Sequence, residues 1–328
     1  MQIRKIFSVI SLLVISTIGG IAGPNPSVTV SQGLWMAPAD ISSRDLFNGP
    51  YTQKPVGPYV FLKEDLDGTN PKFTVRDRNE VEWKVKIGVE ARPEVAAARL
   101  LWAAGYYTAE YYIVPTLQVD KMPKLKRGQD LLGPNGCFHD ARLKREPEMK
   151  KTGTWSWRKN PFTGTREFNG LRVMMALINN WDLKTVNNAI FQNTDSKEPG
   201  AIYVISDLGS CFGTSNWTRP LDHAKGNLVS YRQSEFIRKI HDDRVDFNVA
   251  TRPAIINAVN LPLYLQYLRM RWIGKDIPRD DARWIGKLLS GLSPQQVKDA
   301  FRAAGYGPNE VEGYAGILIS RIAALENL

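Results

Sequence analysis

Apolar and polar residues alternate between Phe73 and Ile87. Phe73 and Val75 precede a polar turn at 77–79, and Val81, Trp83, Val85 and Ile87 follow it on one face. A two-residue period belongs to extended chain, so the segment predicts two antiparallel strands joined by a tight turn, with Lys84 and Lys86 sharing the opposite face of the second. Gly88 closes that strand. Pro93 and Glu94 then open a stretch in which Val95, Ala98, Leu101 and Trp102 recur at helical spacing, and Gly105 stops it. The run from Tyr111 to Val119 reads as a further strand, so residues 71–119 predict strand, strand, helix, strand.

The helical period returns between Arg166 and Trp181, where Leu171, Met174, Met175, Ile178 and Trp181 are spaced by three and four. A mostly polar stretch, 182–188, follows. Two apolar runs, NAIFQ and AIYVI, flank a polar turn and predict a hairpin that ends in Asp207-Leu-Gly209. Beyond a Gly- and Ser-rich stretch at 209–227, the runs at 264–273, 282–292, 293–306 and 310–328 are punctuated by Pro262, Pro278, Pro294 and Pro308 and predict a mostly helical back. A sheet-rich front and a helical back give an α+β chain.

Composition narrows the class. With 328 residues, 43% of them hydrophobic and 23% charged, the chain excludes a disordered tail, a collagen and a multi-span membrane protein. Its first 23 residues differ from the rest. Arg4 and Lys5 precede an uncharged run from Ile6 to Gly23 that ends in small residues, the layout of a cleaved secretory signal, the alternative being an uncleaved membrane anchor. The expectation is therefore an exported protein, periplasmic or secreted. Residues 24–56, rich in Pro, Ser and Gly, read as an irregular N-terminal leader. Cys137 and Cys211 are either one disulfide or two buried thiols, and the scattered His139, His223 and His241 support no zinc site.

The net charge of +10 becomes +8 once Arg4 and Lys5 are removed, so the basic character belongs to the folded chain. Residues 121–159 hold 11 Lys or Arg against four Asp or Glu. They read either as a solvated basic insertion or as a surface for an anionic partner. Nucleic acid is not the expected partner, because no reader motif is present.

The polar loops carry the candidate chemistry. Asp182, Lys184 and Asn187 lie two and five residues apart in sequence, and the hairpin brings Asp207 back beside them. A carboxylate for a hydroxyl proton, a cation for a moving phosphate and oxygen ligands for magnesium are the parts of a phosphoryl-transfer site. DLKTVN resembles the catalytic loop of the protein-kinase-like fold, and SDLG resembles its metal-binding motif. WKVKIG with RPEVAAARLLWAAGY looks like its lysine strand and glutamate helix. Asn180 and Trp181 stand where the usual His-Arg precedes the aspartate, and LDGTNPKF is a reduced Gly-rich loop. These features resemble HipA-type, phosphatidylinositol-kinase-like and secretory-pathway kinases, the atypical branch.

The resemblance implies a bilobal fold, with a β-rich N-lobe at 57–120, the basic insertion and hinge at 121–165, and a helical C-lobe at 166–328. It implies Asp182 as base or orienting carboxylate and Lys184 as stabiliser of the transferred phosphate. Asn187 and Asp207 become metal ligands. Lys86 holds the nucleotide phosphates and pairs with Glu94, and Gly68 and Thr69 cover the phosphates with their backbone. Lys84 shares the facing of Lys86, so periodicity alone leaves the two open; Lys86 is preferred as nearer the helix. The implied cofactor is ATP or another nucleotide with Mg²⁺ or Mn²⁺, and the acceptor is a hydroxyl of a protein, glycan or lipid. Two alternatives stand beside phosphoryl transfer: a kinase-like binding module without turnover, docking on anionic partners, and AMP transfer on the same fold.

Overall fold

A computed structural model describes residues 33–50, 53–68, 70–146, 149–192, 200–213, 225–249, 265 and 268–328. The expected signal at 1–23 and Thr69 lie outside these residues. Among the described residues, no helix is long and apolar enough to cross a membrane.

The mixed α+β reading holds. The front is a closed barrel of β1 (Tyr59–Asp65), β2 (Lys72–Arg76), β3 (Glu82–Lys86), β4 (Glu110–Asp120) and β5 (Cys137–Arg145), in the order β1-β2-β3-β5-β4. Antiparallel ladders join neighbours except β1 and β4, which close the barrel in parallel through Tyr59 opposite Val119. Phe73, Val75, Trp83, Val85, Ile87, Leu117, Phe138 and Leu143 fill its interior. The β2–β3 turn is tied by Asp77, whose carboxylate accepts from the Val81 amide at 3.0 Å and from the Trp83 indole at 3.0 Å. Because Trp83 and Val85 point into the barrel, Lys84 and Lys86 must point out of it.

Helix α1 (Ala91–Ala103) follows β3 and is buried along most of its length. Residues 33–50 wrap over its end, where the Trp35 indole donates to the Ala104 carbonyl at 2.7 Å. Beyond the barrel, β6 (Lys150–Gly153), β7 (Asn188–Gln192) and β8 (Ala201–Ile205) form one sheet, and α2 (Arg166–Leu177) lies in the main core. Three short strands, β9 (Ile237–Ile240), β10 (Arg244–Phe247) and β11 (Ile277–Pro278), form another sheet after α3 (Leu228–Gln233). The chain ends in α4 (Arg279–Leu289), α5 (Pro294–Ala303) and α6 (Pro308–Glu326). An aromatic group, Phe212, Tyr231, Phe301 and Tyr314, ties these last helices to the loop after β8.

Several expectations change. Residues 121–165 are not simply an insertion, since β5 sits between β3 and β4 and completes the barrel. Its basic residues divide: Lys121, Lys124, Lys126, Lys150 and Lys151 are exposed, whereas Arg142 is buried behind α1. The back is less helical than its periodicity predicts, because β9 to β11 lie within it and residues 271–274 form only a 3₁₀ turn. Cys137 and Cys211 do not pair; they are buried free thiols.

Candidate functional site

A cleft of about 550 Å³ runs between the outward face of β3 and β5 and the two polar loops. Lys84, Lys86, Glu94, Asp182, Lys184, Asn187, Asp207 and Gly68 all line it. Residues far apart in sequence therefore share one space, Lys86 and Asp207 being 121 positions apart.

The inner end is a buried ion cluster. Lys86 Nζ lies 3.1 Å from Glu94 Oε2, 3.1 Å from Glu90 Oε2 and 2.8 Å from Asp207 Oδ1. Arg142 on β5 donates through Nε to Glu94 Oε2 at 3.0 Å, and Lys225 binds the other oxygen of Glu90. Three cations thus meet three carboxylates with almost no solvent exposure at Lys86, Glu90, Glu94 and Arg142. Such a cluster is tolerable only because every member is paired. Lys84 is separate: half-exposed, it pairs with Glu146 at 2.9 Å. The geometry thus distinguishes two lysines that periodicity treats alike.

Local structure explains how the acids arrive. Glu90 occupies the N-cap position of α1, and Asn70 in the turn before β2 donates to its Oε2 at 2.6 Å. Asp207 leaves β8 in a left-handed conformation, φ 55°. Gly209 follows it because a Cβ there would lie 2.6 Å from the Glu90 Cβ, so only glycine lets this loop pass the start of α1. Gly68, with φ 67°, turns the chain at the edge of the cleft, and its carbonyl accepts from Arg127.

The second loop begins where α2 stops. The 166–181 periodicity predicts helix to Trp181, but Asn179 adopts φ 55° and the Asn180 amide returns to the Met175 carbonyl at 2.8 Å. Arg321 of α6, buried, donates to the carbonyls of Leu177, Tyr231 and Ser234 at 2.9 to 3.1 Å and fixes that exit. Asn180 Oδ1 then accepts from the Asp182 amide at 3.1 Å, and Lys184 Nζ lies 2.9 Å from Asp182 Oδ1. Asn187 donates through Nδ2 to the Asp182 carbonyl at 2.8 Å. Its own carbonyl accepts from the Ser206 hydroxyl at 2.6 Å, which joins this loop to the residue before Asp207.

Burial opposes ionisation of Asp207, yet Lys86, then Arg142 and Lys225, outweigh it and hold the carboxyl below its ordinary 3.8. Burial likewise opposes the Glu90 charge, and Lys86 and Lys225 hold it below its ordinary 4.5. Burial works against the Lys86 charge too, but Glu94, Asp207 and Glu90 raise it above its ordinary 10.5. A carboxylate with a depressed folded pKa stabilises the fold above its unfolded pKa and loses that contribution as pH falls through the folded one; a raised lysine does so below its unfolded pKa and loses it as pH rises through the folded one. The cluster's contribution is therefore flat from about pH 5 to about pH 10. Urea unfolding should show stability falling between about pH 5 and pH 3, less steeply in Asp207→Asn. Equal slopes would mean that Asp207 is not held in this cluster.

Glu90, Arg142, Lys225, Asn70 and Arg321 are partners the sequence reading did not name. For Arg142 a signal existed, since Ala141 and Leu143 alternate with Arg142 and Lys144 at strand period. Cys211, beside this cluster in the core, has its thiol pushed well up by burial and then by Glu94 and Glu90.

No family model matches the sequence, and no curated protein matches it. Among solved structures, the chain is similar to a Helicobacter pylori proinflammatory kinase, CtkA, at 10% identity over 83% of this chain and 95% of that chain, with a TM-score of 0.45. It is also similar to a golgi casein kinase, at 12% identity over 82% of this chain and 75% of that chain, with a TM-score of 0.32.

Proposed function

We propose that the protein is a phosphotransferase of kinase-like, bilobal fold, exported from the cell, that uses a metal-nucleotide to modify a hydroxyl of a protein, glycan or lipid. The observation that carries this reading is the meeting of Lys86 with Glu94 and Asp207 in one cluster, beside a loop that presents Asp182, Lys184 and Asn187 to the same cleft. Phosphoryl transfer asks the protein mainly for position and charge. In this reading the barrel face with Lys86 holds the nucleotide phosphates, Asp182 orients the acceptor hydroxyl and takes its proton, and Lys184 steadies charge on the transferred group.

The donor set suits a hard divalent ion. Asn187 spends its amide Nδ2 on the Asp182 carbonyl, which leaves its Oδ1 to pair with the Asp207 carboxylate as ligands. Among the described residues no group of three or more His, Cys, Asp or Glu is placed to hold a metal. One carboxylate and one amide oxygen match Mg²⁺, which keeps waters and shares substrate phosphates. When bound, that ion supplies charge neutralisation at the phosphates.

Wild type should melt higher with a nucleotide and Mg²⁺ or Mn²⁺ than with either alone, the bound complex being stabilised by about 2.7 kcal/mol at a hundredfold excess over Kd. Asp207→Ala should lose the metal-dependent part and still fold, since Lys86 keeps Glu90 and Glu94. Absence of any metal-dependent shift in wild type would sink the reading. One observation favours a second reading, a binding module without turnover that docks on anionic partners through the exposed lysines of 121–151: Asp207 is already bonded to Lys86. Metal-dependent binding with no transfer to any acceptor would select it.

A further inference from the structure

The roof of the cleft carries its charges in two rungs. The β3–β5 register sets Lys86 opposite Arg142 and Lys84 opposite Lys144. Along a strand the two rungs are about 6.7 Å apart. They are not compensated alike. The inner rung, Lys86 and Arg142, faces Glu90, Glu94 and Asp207. In the outer rung, Lys84 Nζ at 2.9 Å and Lys144 Nζ at 3.4 Å share a single oxygen of Glu146. Two ammonium groups on one carboxylate leave a positive charge over.

A second observation lies beside that rung. Tyr111 of β4 stands opposite Lys144 in the ladder and lines the cleft. It is 1% exposed and its ring lies 5.2 Å from the Arg142 guanidinium; its hydroxyl oxygen accepts from the Asp207 amide, but its O–H donates to no acceptor among the described residues. A buried O–H of this kind is a donor in want of an acceptor. That spare donor belongs to the inner end, whereas at the outer end the two ammonium groups share the Glu146 carboxylate, with Asp65 across the cleft as the other acid that feels Lys84.

The outer end is also the wrong surface for a flat base. Purine and drug-like pockets are mostly apolar, with a few polar groups that set orientation. Here the outer rung offers ammonium heads and a carboxylate, and the cleft's Trp181 ring is covered by Lys225 at 5.4 Å. Resting on the phosphotransferase reading for the inner end, we propose that Lys84 and Lys144 form a second anion site. The cleft thereby takes a linear triphosphate along both rungs, through its phosphates and without recognition of a base. The chain of phosphates is the shared chemistry, whether free or carried on a nucleoside.

Calorimetric titration of the full chain in Mg²⁺ with tripolyphosphate, ATP and adenosine tests this. The expected result is tripolyphosphate and ATP within about threefold of each other and no binding of adenosine. Lys84→Ala should weaken both triphosphates about tenfold, the size of one lost charge-assisted contact. Glu146→Gln should tighten both, because it removes the negative charge that the two lysines share. Lys84 is half-exposed, so neither substitution threatens the fold. ATP bound more than thirtyfold tighter than tripolyphosphate, or affinities indifferent to both substitutions, would overturn the second site. If that happens while ATP binding still needs Asp207, the phosphotransferase reading survives. Lys84-dependent binding of tripolyphosphate with no metal or Asp207 effect would instead keep the second site and remove the reading on which it was built. Failure of both triphosphates to bind would remove both.

Discussion

Lys86→Met is expected to cost about 3–5 kcal/mol of stability, the range for removing one partner of a buried ion network. Methionine keeps the aliphatic bulk of lysine, so the loss is mainly electrostatic. What remains is three carboxylates. Glu94 retains Arg142 at 3.0 Å and Glu90 retains Lys225, but Asp207 loses the contact at 2.8 Å that offsets its burial. The two retained cations place the expected value at the lower end of that range. Equilibrium urea unfolding at neutral pH measures it, with Lys84→Met as the comparison. Lys84 pairs with Glu146 in the open, so its loss should cost under about 1 kcal/mol. Equal effects of the two substitutions would mean that the cluster does not hold the barrel to the rest of the chain. The same substitution should abolish the metal-dependent nucleotide shift, since it removes the cation at the inner rung.

The largest effect on turnover is expected from Asp182→Asn. The amide is isosteric, and the backbone contacts of the loop, the Asp182 amide to Asn180 and the Asn187 side chain to the Asp182 carbonyl, do not depend on the carboxylate. Melting temperature should therefore stay close to wild type. The loss of a positioned proton acceptor typically lowers a rate by about 10² to 10⁴. Acceptor-free hydrolysis of the bound nucleotide, which needs no knowledge of the natural hydroxyl, provides the assay. If wild type hydrolyses nucleotide and the variant does so equally fast, Asp182 is only a loop residue.

How much of this was legible from the chain depends on what each face of an element meets. The β2–β3 pair could be read because one face is barrel interior and the other is polar, which leaves a clean alternation. Strand β5 carries the same alternation, but its outward residues Arg142 and Lys144 face the cleft rather than water, and basic residues in a basic stretch look like a solvated insertion. The loops of Asp182 and Asp207 were visible because each motif is local. Their partners were not: Arg142 is 48 positions from Glu94 and Lys225 is 135 from Glu90, distances at which no periodicity operates. The α2 exit misled for a related reason. Its apolar spacing continues through Ile178 and Trp181, while a tertiary contact from Arg321 ends the helix earlier.

The unpaired cysteines have a practical meaning. Cys137 opens β5 of the barrel and Cys211 sits in the main core behind Asp207, so each thiol is shielded by a different part of the fold. A thiol reagent can reach them only when that part opens. Pulsed alkylation read peptide by peptide would therefore clock the barrel and the helical body independently, without any label having to be introduced. It would also report which of the two the triphosphate holds shut.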